Sequence, residues 1–164
     1  MTVLGIDPGY ARMGWGVLDW HGPSMRLVDC GCIETSAGTP MQLRLTTLHH
    51  SISELLEKYK PDEVAFEELF FSRNVTTALM VGAARGAAII AAAAYTPDLY
   101  EYTPMQIKQA VTGYGKADKK QVQQMVRLLL KLPKPPQPDD AADAVACAIA
   151  HCQAGQARRE FLMK

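Results

Sequence analysis

The chain has 164 residues, 48% of them hydrophobic, with 17 lysines and arginines against 17 acids for zero net charge. That length suits one domain, expected over 1–164, with a sizeable core, and the composition is that of a globular protein. The longest apolar run, "GAAIIAAAAY" at 86–95, is half of the ~20 residues a membrane span needs, and the start "MTVLGIDPG" lacks a signal peptide's basic opening, so a cytoplasmic protein is expected.

"TVLGID" (2–7) is apolar on both faces, as in a central strand, and Pro8-Gly9 ends it. "MGWGVLDW" (13–20) and "MRLVDCGCIET" (25–35) read as two more strands joined by the turn "HGPS". Over 40–60, Leu43, Leu45, Leu48, Ile52, Leu55 and Leu56 recur at helical spacing; of His49 and His50 on that helix, one should face water and one pack. "PDEVAFEEL" (61–69) is a short buried strand, 74–95 a helix of small residues, and "LYEYT" (99–103) a last strand. Helices at 104–113, 118–131 and 140–153 follow, with the stiff connector "LPKPPQP" at 132–138 and a flexible tail from about 155 to 164. Three strands, helix, strand, helix, strand indicate a mixed α/β sheet with helical crossovers. Cys30, Cys32, Cys147 and Cys152 form no CxxC pair and are expected to be free, buried thiols rather than zinc ligands.

The acids are placed more suggestively. Asp7 ends the first strand, Glu67 ends the fourth inside "VAFEELFF", and Asp139, Asp140 and Asp143 open the last helix. One aspartate there would suffice as a cap; Asp140 and Asp143, three apart, project from one face of the first turn. An ionised carboxylate in an apolar strand is costly unless it is paired or binds a metal. Ligands in mixed α/β sheets lie at strand ends where the chain order switches. Carboxylates gathered there raise one another's proton affinity unless a divalent cation neutralises them, and oxygen-only ligands suit Mg²⁺ or Mn²⁺. Two such ions roughly 4 Å apart can hold the attacking and leaving oxygens of an in-line phosphodiester displacement.

At this point the sequence resembles the RuvC-type Holliday junction resolvases over nearly its whole length. The matching segments are "LGIDPG" with "GWGV", "AFEELFFSRN", "GAARGAAIIAAA", "QIKQAVTGYGKADKKQVQQMV" and "PDDAADAVACAIAHC". The resemblance implies an RNase H-like five-stranded sheet flanked by helices, a homodimer, and symmetric nicking of two like-polarity strands at a four-way DNA junction. It implies Asp7, Glu67, Asp140 and Asp143 as catalytic acids and metal ligands for two ions. Asp7 would bridge the metals, Glu67 fix the water-bearing side, Asp143 orient the attacking water, and Asp139 be left to cap the helix. Some relatives carry His in place of the last acid, and Glu68 stands where Gln is commoner. A branch-migration helicase complex of the RuvA/RuvB type is the partner that the family implies.

The DNA contacts fall in two places. In "LFFSRN" one of Phe70 and Phe71 should pack under the next helix and the other meet unpaired bases; the resemblance selects Phe70, with Arg73 and Arg85 as weaker candidates. Residues 102–134 carry seven lysines and arginines against one aspartate, a solvated face or a phosphate-binding one. Lys108, Lys116, Lys119, Lys120 and Arg127 are five of those seven, with Lys108 and Lys119 favoured by the resemblance. The small-residue helix offers a second smooth face for a partner across a two-fold axis. The rival readings are an actin or sugar-kinase type ATPase, which needs two such domains, a related RNase H-like nuclease on another nucleic acid, and a non-catalytic junction-binding module.

Overall fold

The computed structural model describes residues 1–69 and 75–164. Five strands form one mixed sheet in the order β3-β2-β1-β4-β5. β1 (Thr2–Asp7), β2 (Arg12–His21) and β3 (Ser24–Glu34) form an antiparallel meander, and β4 (Glu63–Glu67) and β5 (Leu99–Tyr102) add on parallel to β1. Parallel neighbours need helical crossovers. These are α1 (Met41–Tyr59) before β4 and α2 (Val75–Tyr95) before β5.

Alternation along the strands assigns the two faces. Leu4 and Ile6 of β1, with Val64 and Phe66 of β4, pack under α1 and α2. Val3 and Ala65 face α3 (Pro104–Thr112), α4 (Lys119–Leu129) and α5 (Asp139–Ala154) instead. β1 is therefore buried on both sides, which explains its unbroken apolar pattern. α3 and α4 each open with a full capping box, Thr103 with Gln106 and Asp118 with Gln121, so the basic segment is held as two short helices.

Several expectations are corrected. Leu43 is 52% exposed; in its place Arg44 is buried, its guanidinium 3.6 Å from the Tyr10 ring centroid and its Nε donating to Thr35. One residue's rotation of the stripe follows from Tyr10, which offers a ring and a carbonyl that leucine would not use. His49 is half-buried and His50 exposed, as expected. Cys147 and Cys152 are buried, whereas Cys30 and Cys32 are only partly so. The tail at 155–164 is docked. A 3₁₀ segment (Gly155–Phe161) leads into a β-bridge from Leu162 to Tyr100, Met163 N donates to Leu99 O, and Phe161 stacks on Tyr102. It thereby covers the edge strand β5, whose backbone would otherwise lie open.

α2 is long and apolar enough by length and composition to cross a membrane. Here it lines the sheet through Ala84, Ala88, Ala91 and Ala92, and Arg85 in its middle donates to Glu101 at 2.5 Å. Arg85, a weaker DNA-binding candidate, is thus already paired within the fold.

Candidate active site

The candidate site forms where β1, β4 and α5 converge. Asp7 is the last residue of β1 and Glu67 the last of β4; the two strands pair in parallel up to Ile6 and Phe66, so both carboxylates emerge at one edge. α5 is brought to the same edge by glycines. Gly5 and Gly16 are direct cross-strand partners, and a Cβ on either would collide with Ala144 and Ala148 or with Val145. Gly14, paired with Asp7, touches the Asp140 carbonyl in the same way. Small residues on both surfaces let the helix lie directly on the sheet, with its first turn beside Asp7.

Asp7, Glu67 and Asp143 line one cavity of about 340 Å³ together with Lys108 and Lys119. Burial pushes Asp7 well above the usual carboxylate range, and Glu67, Asp143 and Asp140 push it further. Glu67 is raised to about 7 by burial and by Asp143, with Lys108 and Lys119 opposing. Asp143 is raised by burial, against the pull of Lys119. Three acids crowded in a half-enclosed space, each resisting ionisation, form a site short of positive charge.

The cationic charge comes from Lys108 and Lys119 in the cavity and from Arg12 outside it. Lys119 Nζ donates to Asp143 Oδ2 at 2.9 Å and lies 3.6 Å from Asp139. Partial burial works against the Lys119 ammonium, yet its bond to Asp143 and the fields of Asp139 and Asp140 hold its proton affinity above the ordinary value. Asp140 does not line the cavity; its Oδ2 lies 3.6 Å from Arg12 Nε, although its charge reaches Asp7 and Asp143. Asp139 is not the cap. The helix begins after Pro138 with no side-chain cap, and Asp139 instead accepts from Gln123 Nε2 at 3.0 Å. The three aspartates thus have three partners.

The donor set is oxygen-only and starved of cationic charge, which fits a hard divalent cation. Among the described residues no three acidic, histidine or cysteine side chains are drawn close enough to chelate one as they stand. Of the counter-charges, Arg12 faces Asp140, and Lys119 faces Asp143 and Asp139. Lys116 and Lys120 are exposed, Lys116 on the rim of a second cavity rather than this one, and Glu68 is exposed just beyond Glu67. Phe70, Phe71 and Arg73 lie outside the described residues. Sequence reasoning missed Arg12, whose signal was its place two residues before Gly14 at the head of β2. It also missed the His151 cluster. There His151 lies 2.6 Å from Glu63 and 2.9 Å from Tyr102 Oη, and Glu63 also takes Arg158 at 2.9 Å. A larger cavity of about 740 Å³ lies between α3, α5 and the tail, but its lining is mainly apolar and contains no acid.

A mixed sheet in this order, with acids at the ends of β1 and β4 and at the head of the last helix, is the architecture of the RNase H-like nucleases. Within that class, the family model described as "Crossover junction endodeoxyribonuclease RuvC" matches residues 3–151, and the chain belongs to this family of endonucleases. A crossover junction endodeoxyribonuclease of Brevibacillus brevis is 55% identical over 153 residues, covering 93% of this chain and 92% of that one. The structure of Thermus thermophilus RuvC matches with TM-score 0.88 at 39% identity, covering 99% of this chain and 98% of the other. The same Thermus protein in complex with a Holliday junction substrate matches with TM-score 0.90 at 35% identity, over 99% and 100% of the two chains.

Proposed function

We propose that this protein resolves four-way DNA junctions by paired, metal-dependent hydrolysis of two like-polarity strands, with Asp7, Glu67, Asp140 and Asp143 as the catalytic acids. The observation that carries the reading is the shared cavity of Asp7, Glu67 and Asp143, in which burial, and then repulsion from neighbouring acids, raises all three above the usual carboxylate range. Retaining such charge in a fold costs stability unless function requires it. Bound Mg²⁺, or Mn²⁺, would neutralise the cluster and polarise the scissile phosphate. Asp7, whose carboxyl feels Glu67, Asp143 and Asp140, would be the central ligand; Glu67 would help to fix the water-bearing side, and Asp143 would orient the attacking water.

Lys108 and Lys119 line the cavity itself and counter the repulsion between acids and phosphates; Lys116 and Lys120 extend the positive surface outward. Phe70 and Arg73 complete the junction contacts by resemblance. The Holliday junction seated on the Thermus relative supports the substrate class.

Two symmetric cuts call for two sites. We assign the homodimer contact to the outer face of α2, where Val75, Leu79 and Ile90 are 71%, 69% and 65% exposed. On the same helix a Cβ on Gly86 would meet nothing within 4 Å, which leaves room for close approach. Sedimentation as a monomer at micromolar concentration, with both strands still cut together, would refute that contact. The resemblance to the family supports a branch-migration helicase as partner and a cytoplasmic location.

The decisive experiment compares wild type with Asp7→Asn on a synthetic four-way junction, a linear duplex and an RNA–DNA hybrid with Mg²⁺. Selective paired nicks by wild type and a loss of about 10³-fold or more in the variant, with junction binding retained, are expected. Comparable cutting by Asp7→Asn in a clean preparation sinks the assignment. Cutting of the hybrid in preference to the junction would favour the rival nuclease reading.

A further inference from the structure

Arg12 opens β2 opposite Glu34 of β3, and its guanidinium forks between two acids. One arm reaches Glu34 at 3.4 Å; Nε lies 3.6 Å from Asp140 Oδ2. The backbone of Asp140 has little room to move, because its carbonyl packs on Gly14, two residues along the same strand. Only the side chain can change position. Asp140 is also the one acid of the proposed four that does not line the cavity of Asp7, Glu67 and Asp143. Lys119 reaches Asp143 and Asp139 but not Asp140, whose cation is Arg12.

We infer that Arg12 is a positioning residue that holds Asp140 out of the acid cavity and competes with the divalent cation for it. This rests on the reading of the four acids as cation ligands. The fork to Glu34 keeps the guanidinium on the β2–β3 side, so a carboxylate bonded to it cannot also turn fully toward Asp7. The pair is half-open to water, with 51% of the Arg12 side chain and 30% of that of Asp140 exposed. Screened ion pairs of this kind are weak, and a cation in the cavity can displace one. Arg12 therefore acts as a reversible latch: it pairs with Asp140 before the cation binds and lowers the cation affinity of the assembled site.

The test is calorimetric titration of Mg²⁺ into wild type, Arg12→Gln, Arg12→Lys, Asp140→Asn and the double variant Arg12→Gln/Asp140→Asn, with thermal unfolding as a check on folding. Removing a screened pair of this strength should tighten Mg²⁺ binding by about three- to five-fold in Arg12→Gln. Arg12→Lys, which keeps the charge but loses the fork, should fall between it and wild type. The gain should vanish in the Asp140→Asn background. Unchanged or weaker binding by Arg12→Gln overturns the inference, as does a gain that survives the loss of Asp140, since Arg12 would then act only through its general charge. Should Arg12→Gln fail to fold, Arg12→Lys equal to wild type overturns it. Wild type that takes up no Mg²⁺ overturns the acid-site reading itself, a result distinct from the others.

Discussion

Replacing Glu67 by Gln should make the metal-free protein more stable while abolishing its cleavage. The Glu67 carboxyl is raised from 4.5 to about 7, chiefly by burial and then by Asp143. A group whose folded value lies above its unfolded one favours folding below the unfolded value and loses that contribution as pH rises through the folded one. The penalty is therefore absent at pH 4, grows between pH 4.5 and about 7, and is complete at pH 8. At about 1.4 kcal/mol per pH unit it amounts to ~3 kcal/mol. Gln has nearly the same shape and no charge, so thermal unfolding at pH 8 in EDTA should occur roughly 6–12 °C higher in the variant than in wild type. The gap should close toward pH 4, where both side chains are neutral. Added Mg²⁺ should also narrow it, by stabilising wild type alone. A gap that is absent at pH 8, or one that persists unchanged at pH 4, would refute the claim that Glu67 is held in a charge-starved site.

Gly14→Ala should push the first turn of α5 off the sheet, lowering stability by about 1–3 kcal/mol and cleavage by ~10²-fold. Gly38→Ala, where a Cβ meets nothing within 4 Å, is the control for both thermal unfolding and nicking. His151 is held neutral, its proton affinity lowered by burial despite Glu63. A carboxylate only accepts, so Nε2 donates to Glu63 and Nδ1 accepts from Tyr102. Its contribution to stability is present above pH 6.5 and lost as pH falls below, so the urea midpoint should drop between pH 7 and pH 5.5 in wild type and less in His151→Gln. Lys116→Ala should weaken junction binding and reduce the slope of log affinity against log salt by about 1; an unchanged slope would remove Lys116 from the phosphate contacts.

Much of this molecule is written in local pattern. The apolar run of β1, the helical stripe of α1 and the Thr103 and Asp118 caps are decided by residues within a few positions of one another. The element order is legible from the sequence for that reason. The candidate acids could be chosen for the same kind of reason: a carboxylate at the end of a buried strand is costly unless it is used. The approach of α5 to the sheet needed the structure: the glycines of "LGID" and "GWG" lie against "DDAADAVA", a pairing of residues far apart in sequence.

Charge pairing was not legible, since its partners are far apart in sequence and depend on where long side chains come to rest. Arg85 belongs to Glu101, and Arg44 replaces Leu43 beneath Tyr10. The tail is tied down by Arg158 to Glu63 and by the open edge of β5. In "PDDAADA", local pattern identifies three aspartates at a helix start but cannot distribute them. Tertiary structure gives Asp139 to Gln123, Asp140 to Arg12, and Asp143 to Lys119 and the cavity, because a carboxylate's role is decided by the charges facing it across space.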